Sequence, residues 1–148
     1  MACKITISLL SESQTGTIGN DWEYSLEARI FELGARRALT GEGTISVPKH
    51  RLDSGKTQVP PGPPEALVLP AGRAGARILV DLRLKAAEVD LLQSDVAETP
   101  ASFQMTCPAR GGPAVVEMRE VSVSVVEQPS AIGRAVFELA YRVTLESD

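Results

Sequence analysis

The eight residues from His50 to Thr57 are the part of the chain that comes closest to a catalytic motif. Their sequence, His-Arg-Leu-Asp-Ser-Gly-Lys-Thr, ends like a phosphate-binding loop. That motif also needs a glycine where His50 stands and a helix that begins at the Lys-Thr pair, because the helix amides hold the phosphate. Pro60 and Pro61 follow almost at once and would stop such a helix. We therefore interpret this segment as an exposed loop and predict no nucleotide site.

A group of acidic residues suggests a second kind of chemistry, calcium binding through oxygen ligands. Their spacing does not match the EF-hand loop, which needs ligands at positions 1, 3, 5 and 12 and a glycine at position 6. Asp21 and Asp53 would join the group only if the fold brought separate loops together. Because charged side chains usually face water, we interpret the group as a solvated acidic loop and predict no metal and no cofactor. Its members are Glu88, Asp90, Asp95 and Glu98.

Nucleophilic and zinc chemistry lack their usual signatures. The chain has one histidine, His50, and two cysteines, Cys3 and Cys107, which are too far apart for the paired spacing of a zinc site. No serine stands in a Gly-x-Ser-x-Gly elbow, and a serine or cysteine nucleophile needs a base close by. We therefore predict that the protein is not an enzyme.

The two cysteines also bear on the cellular compartment. Cys3 and Cys107 each lie in an apolar segment, and free cysteine often behaves as a small buried hydrophobic residue. The first residues alternate apolar and hydroxyl side chains, unlike the continuous apolar stretch of a signal peptide. No segment approaches the length of about 18 apolar residues that a membrane helix requires. The sequence therefore predicts free cysteines, a cytoplasmic location and no membrane span.

Length and composition limit the possible architectures. The chain has 148 residues, a formal charge of −4 and 43% hydrophobic residues. Domains usually contain about 100–200 residues, so we predict a single domain over residues 1–148. The acidic balance, with a pI near 5.1, also argues against nucleic acid as a partner, because binding to phosphates needs clustered basic charge.

Alternation of apolar and polar residues with a period of two runs through most of the chain and indicates β-strands. The alternation changes phase near Ile30-Phe31 and again within 114–127, so we predict a β-bulge at both places. We predict a loop over 34–43, a short strand at 44–47, and a long proline-rich loop at about 48–66. Residues 86–93 fit a strand or a short helix, and the neighbouring pattern favours a strand.

These segments predict an all-β protein. Strands with one apolar face are typical of antiparallel sheets, and two such sheets must pack together to cover their apolar faces. We predict an antiparallel β-sandwich of seven to eight strands, with a small closed β-barrel as the alternative.

Two binding hypotheses follow from these features. The first is a protein-binding or assembly module, an adaptor or oligomeric subunit, that uses strand edges and the proline-rich arm. The second is a C2-like or carbohydrate-binding type of sandwich that binds a ligand through loops 16–21, 50–57 and 88–98. For the first, the candidate interaction surface consists of Arg36, Arg37, Lys49, His50, Arg51, Pro60, Pro61, Pro63 and Pro64.

Overall fold

The protein is a β-sandwich, as the alternation predicts. A computed structural model describes residues 2–62, 66–90, 94–127 and 132–148. Two antiparallel sheets pack against each other, and they do not close into the barrel that we weighed as the alternative. Within the described residues, eight strands have eight residues or more and one has two. The strands are β1 (Ala2–Gly16), β2 (Asp21–Leu33), β3 (Ala38–Arg51), β4 (Thr57–Gln58), β5 (Ala66–Arg73), β6 (Arg77–Val89), β7 (Ser94–Thr106), β8 (Val115–Val126) and β9 (Arg134–Ser147).

The order of the strands determines which edges are open. The first sheet has the order β4-β1-β9-β8, and β5 also pairs with β1. The strands β4 and β5 share one edge of β1, because β4 pairs with Glu12 and Ser13 while β5 pairs with residues 2–8. The second sheet has the order β3-β2-β6-β7. The long edge strands are therefore β5 and β8 in the first sheet, and β3 and β7 in the second.

Apolar side chains from both sheets fill the space between them. Trp22, Tyr24 and Tyr141 are buried, as their phase in the alternation predicts. The Phe137 ring from the first sheet packs against both Trp22 and Tyr24 from the second, with ring centroids 5.5 Å and 4.8 Å apart respectively. These contacts join the two sheets at the centre of the core.

One lateral side of the sandwich is closed by close packing of β3 on β5. Residues 38–43, which we predicted to be loop, belong to the 14-residue strand β3. A Cβ atom at Gly41 would lie only 2.6 Å from the Pro70 carbonyl oxygen, so glycine permits this approach. The Thr40 hydroxyl donates to the Ala71 carbonyl oxygen at 3.0 Å. Glycines that looked like loop residues in the sequence are therefore strand residues at a close contact.

The proline-rich segment is more ordered than we predicted. Strand β3 continues through Pro48 to Arg51, and Thr57 and Gln58 form β4. The uncertain segment 86–93 is strand as far as Val89. Residues 63–65, with two of the predicted interaction prolines, and residues 91–93 lie outside the described part.

One of the two predicted bulges is present and the other is wrong. The register between β2 and β3 shifts between Ile30 and Phe31, as the phase change predicts. Strand β8, in contrast, pairs with β9 without a shift. Its inward row holds Glu117 and Arg119 between Val115 and Val121, whereas Val116 and Met118 point outward and are 52% and 65% exposed. The phase change in this strand marks apolar residues on the surface.

The prediction of free cysteines is wrong. Cys3 and Cys107 form a disulfide between β1 of the first sheet and the residue that follows β7 of the second. Their Cα atoms are 6.1 Å apart, within the range for such a bond, and both residues are buried. The alternation correctly placed both side chains inward, but the sequence did not reveal that their strands meet.

The described residues include no helix with the length and hydropathy needed to cross a membrane.

We expect the disulfide to stabilise the fold by restricting the unfolded chain. It joins residues 104 positions apart, and closing a loop of about 100 residues is worth roughly 4–5 kcal/mol in the chain-entropy model. Reductant should therefore lower the urea midpoint of the wild type and leave the Cys3→Ser/Cys107→Ser variant unchanged. An unchanged wild-type midpoint, with both thiols then alkylated, would contradict this expectation.

Candidate functional site

Three loops that are distant in sequence meet at one end of the sandwich. The Leu52 amide donates to the Asn20 carbonyl oxygen at 2.7 Å, and the Gly16 amide donates to the Ser54 hydroxyl at 3.0 Å. Gly19 lies directly against the Glu88 carboxylate. These contacts join residues of the segments 16–21, 50–57 and 88–98, which we predicted as loops for the ligand-binding hypothesis. The prediction of a loop is wrong for 88–89 and 94–98, which belong to β6 and β7. We call this end of the molecule the three-loop end.

Polar side chains hold loop 16–21 in place. The Gln14 side-chain amide donates to the carbonyl oxygens of Gly19 and Leu52 at 3.2 Å and 3.0 Å. The Trp22 indole N–H also donates to the Gly19 carbonyl oxygen, at 3.1 Å. Gly19 has a φ of 145°, a conformation that favours glycine. The loop is thus fixed by hydrogen bonds from the interior.

A buried carboxylate lies next to this end, between the two sheets. Glu12 of β1 accepts hydrogen bonds from the Tyr24 hydroxyl at 2.8 Å and from the Gln58 amide at 3.0 Å. His50 Nε2 lies 2.5 Å from Glu12 Oε2, the oxygen that also accepts from Gln58, whereas Tyr24 donates to Oε1. We call these four residues the Glu12 network. The network joins β1 to β2, β3 and β4.

The geometry around His50 determines where its protons are. Its Nδ1 atom lies 2.7 Å from the Pro48 carbonyl oxygen, which can only accept, so Nδ1 carries a hydrogen. The Nε2–Glu12 contact then requires one further proton. The pair is therefore either an imidazolium with a carboxylate or a neutral imidazole with a carboxylic acid. Both ring nitrogens are occupied.

These contacts suit a structural role for the Glu12 network better than a catalytic role. Burial and the neighbouring Glu12 raise the pKa of Tyr24 far above its usual value, so the phenol stays protonated and acts as a donor. The His50 side chain is only 11% exposed. Within this network the described contacts leave neither ring nitrogen open to a substrate.

An acidic cluster lies on the other side of loop 16–21. One oxygen from each of Glu88, Asp90 and Asp95 lies within 4.8 Å of the others. Glu88 and Asp95 are only 1% and 3% exposed, so the prediction of a solvated acidic loop is wrong for them. Our sequence reasoning missed this because exposure was inferred from charge alone. These three residues form the group in the described part that could hold a metal ion.

Electrostatics make Glu88 the unusual member of the cluster. Desolvation, and then repulsion by Asp90, Asp95 and Asp21, raise the pKa of Glu88 to about 7, although a hydrogen bond from the Asp21 backbone opposes the shift. Its Oε2 atom is buried and has no hydrogen-bond partner among the described residues.

Two of the other acidic residues considered above, Glu98 and Asp53, lie outside the cluster. Glu98 is paired with Arg83 on the exposed face of the second sheet, at 3.2 Å. Asp53 accepts from Arg51 at 2.8 Å. Neither residue adds a ligand to the acidic cluster.

The predicted basic surface is not a single patch. Arg36 and Arg37 lie in the turn before β3, whereas Lys49, His50 and Arg51 lie at its far end. A strand of this length spans about 45 Å, so the two groups cannot meet one small ligand. Lys49 and Arg51 are exposed, and His50 belongs to the Glu12 network.

The described prolines of the arm line a groove. Pro60 and Pro61, with the exposed Val59, form one wall of a groove of about 360 Å³. Residues of β1 and β3, such as Leu9 and Val47, form most of the rest, together with Ala66 and Arg142. Pro63 and Pro64, the other two prolines of the predicted surface, lie outside the described residues.

Sequence reasoning did not single out Glu12 and Gln14. In β1 the inward row begins with Cys3 and Ile5, at odd positions, and moves to even positions after an irregularity between Leu9 and Ser11. A pattern with a period of two cannot show such a shift when the residues after it are polar. The weak apolar signal at 10–14 was the available clue.

The Glu12 network predicts a reversal in the effect of one substitution. His50→Ala would remove the ring that shares a proton with the buried Glu12 Oε2 atom, and should lower the free energy of unfolding by about 3 kcal/mol. Glu12→Gln should destabilise the wild type, because it disturbs a satisfied network. In the His50→Ala background it should instead stabilise, since it replaces a buried carboxyl group that has lost its partner by a neutral amide. Urea unfolding of the four proteins measures both effects, and equal costs of Glu12→Gln in the two backgrounds would refute the coupling.

Comparisons with known proteins give no guide to these residues. No protein-family model matches the chain, and no curated protein matches its sequence. The chemistry of the molecule must therefore supply the functional hypothesis.

Proposed function

We propose that the protein is a non-catalytic assembly module in which a second copy of the chain pairs with the edge of β8. The observation that carries the proposal is the outward position of Val116 and Met118 on this strand, where they are 52% and 65% exposed. Exposed apolar residues on a free strand edge favour pairing with another strand.

Strand β8 is also the least protected of the four long edges in the described part. Each of the others contains a proline: Pro48 in β3, Pro70 in β5 and Pro100 in β7. Proline removes a backbone donor and is a common means of blocking an edge. The sequence of β8 contains none. On the inward face of β8, the Arg119 guanidinium lies 3.6 Å from the centre of the Phe103 ring of β7 and pairs with Glu117 at 2.9 Å.

Charge complementarity selects one register for the second copy. Two identical antiparallel strands that extend one sheet must place one residue opposite its own copy. Centring the pair on Glu117, Arg119 or Glu120 would place like charges opposite each other. Centring it on Met118 places Glu117 of each copy opposite Arg119 of the other. That register also puts the two Met118 side chains together on the outer face.

The arm has a narrower role in this proposal than the sequence suggested. Gln58 donates to the buried Glu12 carboxylate, and Thr57 pairs with Ser13. Deleting residues 57–66 would thus disturb the fold itself. Substitutions at Val59 and Pro60 test the contribution of the groove without removing β4.

The β8 register can be tested by exchanging charges. Arg119→Glu and Glu117→Arg should each turn the dimer into a monomer, because each places like charges opposite one another twice. An equimolar mixture of the two variants should form a heterodimer, and the double variant Glu117→Arg/Arg119→Glu should form a dimer by itself. Light scattering behind a sizing column, over a tenfold dilution, measures the mass against the 15.8 kDa of one chain.

The control for these variants is Arg83→Glu, which breaks an exposed ion pair on the second sheet. It should leave the dimer intact. A wild type that is monomeric at all concentrations would refute the assembly proposal. A dimer that survives both single variants would place the interface elsewhere than the β8 edge.

A second candidate function is ligand binding at the three-loop end, as in the C2-like or carbohydrate-binding type of sandwich. The observation that favours it is the contact among the three loops, with Gly19 against Glu88 and Leu52 bonded to Asn20. Ligand sites are often built from loops that a rigid scaffold brings together.

A thermal-shift panel tests this second function. A ligand that binds only the native state must raise the melting temperature. Calcium, magnesium and a set of neutral and acidic sugars should therefore include at least one compound that raises it in a saturable way. If none does so up to millimolar concentration, ligand binding at this end is refuted.

A cytoplasmic location remains a proposal. The Cys3–Cys107 bond removes the argument from free cysteines, because disulfides are rare in reducing compartments. Trapping thiols in intact cells by rapid alkylation provides the test. Two alkylated cysteines would support the cytoplasm, and two protected cysteines would indicate an oxidising compartment.

A further inference from the structure

The strongest unexplained feature of the molecule is the convergence of three carboxylates at the three-loop end. Glu88 and Asp95 are directly opposite each other in the register of β6 and β7, so that their side chains lie on the same face. Asp90 follows the end of β6 and completes the acidic cluster. Neither Glu88 nor Asp90 forms an ion pair with a described residue.

A second observation points to a missing ligand. Glu88 is only 1% exposed, and its Oε2 atom has no hydrogen-bond partner in the described part of the chain. The backbone of Asp21 supplies one hydrogen bond to this carboxylate, which leaves Oε2 unsatisfied. A buried carboxylate oxygen without a partner is costly, and a bound cation beside Asp90 and Asp95 would compensate it.

We infer that Glu88, Asp90 and Asp95 bind a divalent cation, and that this cation is calcium. The inference rests on the second proposed function and names its ligand. The donors are all carboxylate oxygens, the ligands that calcium, magnesium and manganese prefer. Backbone carbonyl groups or water would complete the coordination, so we expect weak binding, with a dissociation constant of about 10⁻⁵–10⁻³ M.

The spacing of the oxygens satisfies the geometric limit for calcium. Two oxygen ligands of one ion can lie at most two bond lengths apart. This limit on their separation is about 5.2 Å for calcium and about 4.2 Å for magnesium. The three ligand atoms lie within 4.8 Å of one another. They therefore meet the calcium limit as they stand, without movement of the strands that carry them.

Gly19 is the positioning residue of this site. A Cβ atom there would collide with Glu88 Oε1, so any larger residue must displace the carboxylate. The loop that contains Gly19 is held by Gln14 and Trp22, as described above. The site is therefore built by the packing of loop 16–21 on β6.

Trp22 offers a direct optical measurement. It is the only tryptophan of the chain and lies opposite Glu88 in the register of β2 and β6. Neighbouring strands are only about 5 Å apart, so terbium bound in place of calcium should emit after excitation of this indole. Calcium should displace the terbium and quench the emission.

The decisive variants are Glu88→Gln and its matched control Glu98→Gln. Both remove one negative charge, but Glu98 lies outside the cluster, beside Arg83. Glu88→Gln should weaken calcium binding at least tenfold in calorimetry and abolish the terbium signal, while Glu98→Gln should bind like the wild type. In chelator, Glu88→Gln should melt at or above the wild-type temperature, since it removes a buried charge that other carboxylates repel. A melting transition in that range would show that the variant is folded.

The possible outcomes separate this inference from the function on which it rests. Equal binding of calcium by the wild type and Glu88→Gln would refute the site. No binding of calcium or terbium up to millimolar concentration would also refute it. If neither calcium nor terbium binds while a sugar of the panel raises the melting temperature, the proposal of ligand binding is supported and the calcium site is refuted. If every compound fails, both fall.

Discussion

The three-loop end of this molecule depends on the contacts that surround the buried carboxyl group of Glu12. A charged group between two apolar sheets is costly unless donors surround it. Tyr24, His50 and Gln58 supply those donors from three different strands. The network therefore sets the position of β3 and β4 relative to β1. Residues 52–56 lie between those two strands, and their position is fixed as a consequence.

The two buried acidic sites of the described residues differ in how well their oxygens are hydrogen-bonded. Glu12 has donors on both of its oxygens, so nothing further is needed to stabilise it. Glu88 is buried to the same degree, yet one oxygen is unsatisfied and its neighbours Asp90 and Asp95 are also acidic. Stability alone would favour a neutral residue there. Such an arrangement is typical of a site that trades stability for binding.

How far the sequence could predict the molecule depends on the signal that each feature leaves in the chain. Alternation predicted the two-sheet fold, the inward position of Trp22 and the bulge at Ile30-Phe31, because burial acts on each strand separately. The Cys3–Cys107 bond and the acidic cluster arise from contacts between distant strands. No local pattern encodes such contacts. Charge was also a poor guide, because a partner or a ligand can compensate a buried carboxylate.

Strand β8 shows how an apparent error in a pattern can carry information. Its apolar residues change phase between Met118 and Val121, which suggested a bulge, but the strand is regular. With no bulge to absorb the change, Val116 and Met118 must face outward while Glu117 and Arg119 face the space between the sheets. A chain selected only for its own stability would gain from the opposite order, since burying the apolar pair would remove its surface from water. The observed order favours a second strand at this edge, which would cover both kinds of residue at once.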